Sequence, residues 1–563
     1  MCMHNLFNLP PLQEQPDVLL VQPPLDYTPF SGGTGESLGL ELLATILRQY
    51  GYTVKVLDTF LLNMCLEDII AAMLRYRPKK LLGVSIHVME MFLRIQEIFE
   101  QLPEDYLQIF TVAGGHAPTF WYENIFENCQ HIDVIVRVEG EEAILELMEY
   151  LASRKALQDI DGIVYRTNGG QIQVTKPRRL LSNLSDLPRI QRDTLAFGMK
   201  KMELAPEIQT SRGCLGVCSF CSLNSFYKQH PGPKIRLREV SDILDEIEYL
   251  YHSFGARFFR FADDTFFTRS DVNRKRAIQI ANGIVARGLK VKFAIQLRAD
   301  AVDPTVLLKL KEAGLVLVMI GVEALDKETL TLYKKKTSAE DNYRAAQMLS
   351  GLNIRFRACY ITFNPLTTIE HLRSSIKFFR SLTGPHQCDH IFNRLYVLHG
   401  TPIEQVLNDA GMLKIAGYHY DYDFQDPKVD MVWRCCERYL PIFTPVKREI
   451  GALWEWWFQH SGEANLRFEM ALEQYEHALT DHHLYFLENL VDWADEKKQV
   501  EIDPLLDEMR KRVDGINQGL VKIKEREAEH GIAIWLYSNY VFDANDLTYG
   551  LQDDLRGKAR SFP

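Results

Sequence analysis

Cys214, Cys218 and Cys221 carry the strongest chemical signal in the chain. They stand in Thr-Ser-Arg-Gly-Cys-Leu-Gly-Val-Cys-Ser-Phe-Cys, a C-x3-C-x2-C spacing directly after a strand-like stretch at residues 207–210. Three thiolates on one tight loop can hold three irons of a [4Fe–4S] cluster. The fourth iron then has no protein thiolate and is open to a small molecule. Zinc is the competing metal, but a structural zinc site takes four ligands and usually shows paired C-x2-C knuckles. Inert buried thiols are the third reading. Gly213 and Gly216 permit a tight backbone around a cluster. Phe220, just before the last cysteine, can shield it from water.

Composition sets the frame for that loop. At 563 residues, two to four domains are expected. An apolar content of 46% is enough for several cores. A net charge of −11 argues against a general nucleic-acid binder. No apolar run approaches the length of a membrane span, so no membrane partner is expected. The start, Met-Cys-Met-His-Asn-Leu, has neither the charged nor the apolar region of a signal peptide. The ten cysteines are scattered apart from the trio and the pair Cys435–Cys436, which points to a reducing cytoplasm.

The segment before the cysteines alternates short apolar strands with helices. Strands are expected at 18–22, 54–58, 81–86, 109–113 and 133–136, and helices near 37–50, 67–76 and 143–152. A Gly-rich turn, Ser31-Gly-Gly-Thr-Gly35, precedes the first helix, and Gly51 caps it. This alternation means a parallel doubly wound sheet with its ligand crevice at the carboxyl ends of the strands. A connector follows, in which 161–165 and 171–174 flank Asn168-Gly169-Gly170 as a β-hairpin. Residues 180–193 read as an extended linker.

From the cysteines onward the chain runs through six βα units. Strands are expected at 258–262, 291–297, 317–323, 356–362 and 390–397 after the strand that enters the cysteine loop. Asp263-Asp264 ends the second strand, Arg298 the third and Gly321-Val322-Glu323 the fourth. Barrels gather their chemistry at the C-terminal ends of strands.

The cysteine loop and the motifs behind it closely resemble the radical S-adenosylmethionine (SAM) enzymes. In that family the amino and carboxylate groups of SAM chelate the open iron, and one electron from the cluster yields a 5′-deoxyadenosyl radical. The N-terminal segment resembles the cobalamin-binding domain that precedes many radical SAM domains. It shares the strand ending in Pro23-Pro24, the Gly-Val-Ser strand, the loop Gly114-Gly115-His116-Ala117-Pro118 and the turn Glu139-Gly140-Glu141. The resemblance covers about residues 18–405.

It implies an N-terminal arm at 1–17, a Rossmann-like cobalamin-binding domain at 18–155 and a linker with a hairpin at 156–200. A partial (β/α)6 radical SAM barrel at 201–405 follows; residues 406–563 lie outside the resemblance and read as a mostly helical C-terminal domain. By resemblance, Cys214, Cys218 and Cys221 hold the cluster. Asp263 and Asp264 lie near the amino end of SAM, Arg298 pairs with its carboxylate, and Glu323 approaches the ribose. Ser85, His87, Gly114, Gly115, His116, Glu139 and Gly140 line the cobalamin crevice. The cofactor set is then a [4Fe–4S] cluster, SAM and cobalamin.

Two departures matter. The D-x-H-x-x-G signature that gives cobalt a lower histidine is absent; Leu25-Asp26-Tyr27-Thr28 stands there. By resemblance to the radical SAM branch, cobalamin is expected with its own base displaced and without that histidine. The loop after the fifth strand reads Thr362-Phe-Asn-Pro-Leu-Thr-Thr368 instead of the family's Gly-x-Pro-Gly, which weakens transfer of an adenine-binding role.

Beyond about residue 403 the character changes. Aromatic and acidic residues alternate over Tyr418-His-Tyr-Asp-Tyr-Asp-Phe424, and long helical patterns follow from residue 446. An aromatic stripe at helical spacing is core, with a substrate-facing role open for Trp454, Trp456 and Trp457. The adjacent His482 and His483 point in different directions on a helix, which argues against a shared metal. The expected function is methylation of an unactivated carbon in a biosynthetic intermediate. Oxidative cyclisation or ring rearrangement is the alternative, and a non-catalytic cobalamin or redox sensor a third. The expected partners are a small-molecule or peptide substrate and a flavodoxin- or ferredoxin-type electron donor.

Overall fold

The computed structural model describes residues 15–24 and 35–529, apart from 60, 63, 168, 203, 385, 388–389, 417–418, 461–465 and 497–501. The segment 25–28, most of the Gly-rich turn at 31–35, Asn168 and Tyr418 lie outside the described residues. The chain divides into two compact units. One comprises residues up to Leu204 together with Ser225–Pro233; the other comprises Ala205–Asn224 and residues from Lys234.

The first unit is built on seven strands: β1 (Val18–Gln22), β2 (Val54–Asp58), β3 (Leu81–Ser85), β4 (Phe110–Gly114), β5 (Val134–Val136), β6 (Ile163–Arg166) and β7 (Ile172–Val174). Their spatial order is β2-β1-β3-β4-β5-β6-β7. The first five run parallel. Helices α1 (Leu38–Gln49), α2 (Leu66–Arg75), α3 (Met89–Gln101), α4 (His116–Asn128) and α5 (Glu141–Leu151) connect them. β1 is buried at every position, as a central parallel strand covered on both faces must be. Its Val18 and Leu20 pack with Leu40, Leu47, Val112, Ile144 and Leu147 in one core. The hairpin expected in the connector forms, but it is no free-standing linker element. β6 pairs antiparallel with β5, so the hairpin extends the sheet. After α6 (Leu195–Met202) the chain enters the second unit.

The second unit opens with β8 (Glu207–Ile208), β9 (Ser211–Arg212), β10 (Arg236–Leu237) and α8 (Val240–Ser253); α7 (Ser222–Lys228), between β9 and β10, belongs from Ser225 on to the first unit. It continues through β11 (Phe258–Phe261), α9 (Asp271–Ala286), β12 (Lys292–Arg298), α10 (Pro304–Glu312), β13 (Leu315–Glu323), α11 (Lys327–Leu332), α12 (Ala339–Gly351), β14 (Arg355–Tyr360), α13 (Ile369–Ser381) and β15 (His386–Gln387). Six strands form a parallel sheet in the order β15-β14-β13-β12-β11-β8. The strand expected at 390–397 does not form. Two residues, His386 and Gln387, take the sixth place beside β14. The 390–397 segment instead makes one isolated bridge, Phe363 to Arg394. Its Asn393 amide donates back to His390, a turn that breaks the extended backbone.

The C-terminal part carries α14 (Pro402–Asp409), β16 (Leu413–Ala416), β17 (His419–Tyr422) and three long helices, α15 (Pro427–His460), α16 (Leu466–Glu496) and α17 (Ile502–Glu529). α15 packs on the N-terminal ends of the barrel strands. Gln459 Oε1 accepts the amides of Arg257 and Phe258. Glu455 pairs with Arg260, and Arg355 pairs with Glu473 and Glu476 while lying 3.5 Å from the Trp454 ring centroid. Trp454, Trp456 and Trp457 are all buried, so the aromatic stripe is core. These helices close the end of the barrel opposite the cysteine loop.

Candidate active site

The cysteine loop leaves β8 and is braced at each step. The Gly213 φ is +97°, and a Cβ there would lie 1.8 Å from the Lys234 carbonyl oxygen. Only glycine fits. The Gly213 amide donates to Asp264 Oδ2 at 2.8 Å. Asp263 Oδ1 accepts from the Thr210 amide, the Thr210 hydroxyl and the Ser211 hydroxyl. Further along, the Ser219 amide donates to the Tyr333 carbonyl and its hydroxyl to the Leu332 carbonyl. The Ser219 carbonyl accepts from Ile403 at the start of α14. Phe220 packs edge-on against Tyr333, with ring centroids 5.1 Å apart.

The three cysteines are free thiols. A Cβ on Gly216 would sit 3.3 Å from Cys214 Sγ and 3.7 Å from Cys218 Sγ, so both sulfurs rise over the same bare backbone. The Gly216 amide donates to Cys214 Sγ at 3.3 Å. Burial raises the Cys214 thiol, and it pushes Cys221 up to about 12. The neighbouring cysteines and Asp264 push both the same way. Bound iron reverses that preference, since a coordinating thiol is deprotonated outright. Among the described residues no group of His, Cys, Asp or Glu converges on a single ion. That does not conflict with a cluster, whose thiolates bind separate irons and spread apart. The donor set fits a cubane and does not fit zinc.

The expected strand-end residues gather beside this loop, with a division of labour that spacing did not show. Asp263 is 1% exposed, and burial raises its carboxyl to about 7. It braces the loop from within. All three of these donors go to Oδ1; Oδ2 is buried and has no hydrogen-bond partner. Asp264 is half-buried and is the accessible acid of the pair. Arg298 is held by three protein partners. Its donors go to Asp300 Oδ1 (3.0 Å), the Lys335 carbonyl (2.7 Å) and Cys218 Sγ (3.5 Å).

Glu323 sits where the β13–β14 register shifts, with φ at +68°. Its Oε1 accepts from Lys335 Nζ at 2.9 Å. Lys335 was not legible in the sequence. A run of three lysines reads as a solvated face, yet the middle one is 3% exposed. Its neighbours Lys334 and Lys336 both have positive φ, at 47° and 57°. Left-handed backbone costs an ordinary residue about 1–2 kcal/mol. Such backbone clusters at active sites and ligand clamps.

The inner face of the sheet is open below this level. Gln296 lies in a central strand yet is exposed, with the half-buried Met319 and Arg357 beside it in register. The altered loop after β14 is held by the aromatic run: Tyr422 Oη donates to the carbonyls of Leu395 and Phe363. Phe424 packs against Phe363.

In the first unit the expected crevice residues share one edge. Ser85, His87, Gly114, Gly115, His116, Glu139 and Gly140 all lie at or just beyond the carboxyl ends of β3, β4 and β5. Ser85 Oγ is 3.3 Å from His87 Nε2. The two glycines differ. A Cβ on Gly115 would meet the Ile86 carbonyl at 2.4 Å, and its φ is +115°, so the turn requires glycine. A Cβ on Gly114 would have only the Val136 carbonyl within 4 Å, at 3.8 Å. Gly114 is therefore a bare floor with room above it, which suits a bulky macrocycle. Burial and the neighbouring His87 hold His116 down at about 4. His116 stacks on Phe226, with ring centroids 4.0 Å apart.

Comparison with known proteins bears on the two domains. The B12-binding domain model matches residues 30–148, and the radical SAM superfamily model matches residues 208–379. An uncharacterized methyltransferase of Pyrococcus horikoshii is 28% identical over 371 residues, covering 65% of this chain and 78% of that protein. An anaerobic magnesium-protoporphyrin IX monomethyl ester cyclase of Rubrivivax gelatinosus is 28% identical over 353 residues, and the match spans 60% of each chain. The solved structure of the cobalamin-dependent SAM radical enzyme OxsB, with aqua-cobalamin and SAM bound, superposes with a TM-score of 0.70 at 19% identity. It covers 95% of this chain and 84% of that one and establishes likeness of fold. The chain carries a B12-binding domain followed by a radical SAM domain, and it belongs to the cobalamin-binding radical SAM enzymes.

Proposed function

We propose that this enzyme methylates an unactivated carbon of a small-molecule or peptide substrate. The observation that carries the reading is one chain holding both a three-cysteine loop with an adjacent acid–cation site and a glycine-floored crevice. When bound, the cluster and SAM supply an adenosyl radical, and cobalamin supplies the methyl group. Cys214, Cys218 and Cys221 hold the cluster. Asp264 accepts from the SAM ammonium, as a carboxylate can. Lys335, the buried ammonium beside Cys218, faces the SAM carboxylate, and its bond to Glu323 holds that acid toward the ribose. Ser85, His87, Gly114, Gly115, His116, Glu139 and Gly140 seat the corrin and its tail. Phe220 and the closed far end of the barrel keep water from the reacting centre.

The boundaries 18–155, 201–405 and 406–563 are the units we assign to cobalamin, radical and C-terminal roles. An external flavodoxin- or ferredoxin-type protein supplies electrons. Scattered reduced cysteines support a cytoplasmic setting; no described helix is long and apolar enough to cross a membrane.

Similarity to the Rubrivivax cyclase supports a second reading, oxidative cyclisation or ring rearrangement without methyl transfer. Anaerobic turnover with methyl-labelled SAM separates the two. Methylation gives labelled product with S-adenosylhomocysteine and 5′-deoxyadenosine in equal amounts. Product with 5′-deoxyadenosine but no S-adenosylhomocysteine and no methyl mass gain would establish the second reading. A protein that makes no 5′-deoxyadenosine under reducing conditions would be a sensor.

A further inference from the structure

We propose that Arg298 tunes the cluster: its guanidinium donates to the Cys218 sulfur and raises the cluster's reduction potential. The inference rests on the reading of the cysteine loop as a cluster site. Arg298 ends β12, and each terminal of its fork has a separate partner. Nε donates to Asp300 Oδ1 at 3.0 Å and Nη2 to the Lys335 carbonyl at 2.7 Å. Those two bonds fix the plane of the group and aim Nη1 at Cys218 Sγ, 3.5 Å away. A guanidinium is rigid and stays charged, so it cannot escape this geometry by losing a proton.

Gly216 shows how closely the group approaches. A Cβ there would lie 3.0 Å from Arg298 Nη1, 3.3 Å from Cys214 Sγ and 3.7 Å from Cys218 Sγ. Cation and sulfurs crowd the same bare glycine. Hydrogen bonds to the sulfurs, net charge and solvent exposure set the potential of an iron–sulfur cluster. Reduction adds one negative charge. A fixed cation and an N–H donor at a cluster sulfur stabilise the reduced form more than the oxidised one. Cys218 is 8% exposed, so solvent screens the effect little.

A purely mechanical role for Arg298, pinning Lys335 and the loop, would leave the potential unchanged. The test therefore reads the potential. Wild-type protein and Arg298→Gln are reconstituted anaerobically, matched for iron and sulfide per chain, and titrated potentiometrically with EPR detection. Arg298→Gln is expected to shift to lower potential, and Arg298→Lys, which keeps charge without the fork, to fall between. Equal potentials in wild type and Arg298→Gln at matched cluster content would overturn the proposal. A second measurement needs no variant. Wild-type protein grown on 15N-arginine, reduced and examined by pulsed EPR, should show an arginine nitrogen coupled to the cluster spin. If Arg298→Gln fails to hold its cluster, this decides, and absence of the coupling overturns the proposal. A wild-type protein with no [4Fe–4S] signal would instead defeat the cluster reading itself.

Discussion

Lys335 Nζ bonds Glu323 Oε1 at 2.9 Å, and the pair passes directly over the bare Cα of Gly321. A Cβ on Gly321 would lie 2.7 Å from both atoms. The Gly-x-Glu motif is therefore one device: the glycine makes room for an ion pair that arrives from twelve residues downstream of the acid. A buried ion pair adds little net stability, but removing one partner is costly, about 3–5 kcal/mol.

Lys335→Met should accordingly destabilise the fold by a few kcal/mol, about the cost of a buried unpaired carboxylate. Lys335→Met combined with Glu323→Gln should recover much of that loss. Neither variant should bind SAM tightly. Thermal unfolding and equilibrium dialysis with SAM check this; a tightly binding Lys335→Met would remove Lys335 from the SAM site.

Gly114 and Gly115 should separate in their effects. Gly115→Ala forces a Cβ against the Ile86 carbonyl in a left-handed turn and should lower the melting temperature without cobalamin present. Gly114→Leu should leave the apo fold intact and lower corrin occupancy, read from corrin absorbance after reconstitution. Intact corrin loading in Gly114→Leu would move the tetrapyrrole off that floor.

Asp263→Ala and Asp264→Ala should differ in kind. Asp263→Ala orphans three buried donors, each worth about 1–3 kcal/mol, and should fail mainly by instability. Asp263→Asn should be milder, because a carboxyl raised to about 7 is partly neutral already. Asp264→Ala frees the Gly213 amide and should lower cluster retention and SAM binding with a smaller change in melting temperature. Iron content and calorimetry on the same preparations distinguish the two.

His116 gives the acid limb of stability a definite sign. Its folded value, about 4, lies below the ordinary 6.5, so the unfolded chain takes up the proton first. This group adds nothing to the pH dependence above 6.5; stability falls as pH drops from 6.5 to 4. His230, also held at about 4 by burial, contributes in the same window. His116→Phe should keep the stack on Phe226 and flatten the pH dependence of denaturant midpoints there. An unchanged slope would mean that His116 titrates normally.

Sequence alone determined the features that local chemistry and chain order carry. The C-x3-C-x2-C spacing fixes three sulfurs on one loop whatever surrounds them. Alternating apolar strands and helices permit few topologies other than parallel sheets, so Ser85, Gly114 and Glu139 lie together at the carboxyl ends of neighbouring strands. Tertiary structure decided what depends on partners distant in the chain. Asp263 and Asp264 are adjacent and chemically identical, but beyond the end of β11 the backbone turns one under the cysteine loop and leaves the other accessible. Arg298 reaches a sulfur because Asp300 and the Lys335 carbonyl hold its fork. Lys335 enters the barrel because left-handed turns at Lys334 and Lys336 aim it there, and no pattern of polarity encodes such a turn. The strand expected at 390–397 was lost for a related reason. Its apolar residues bury against neighbours from Phe363 and α15, and burial does not require extended backbone.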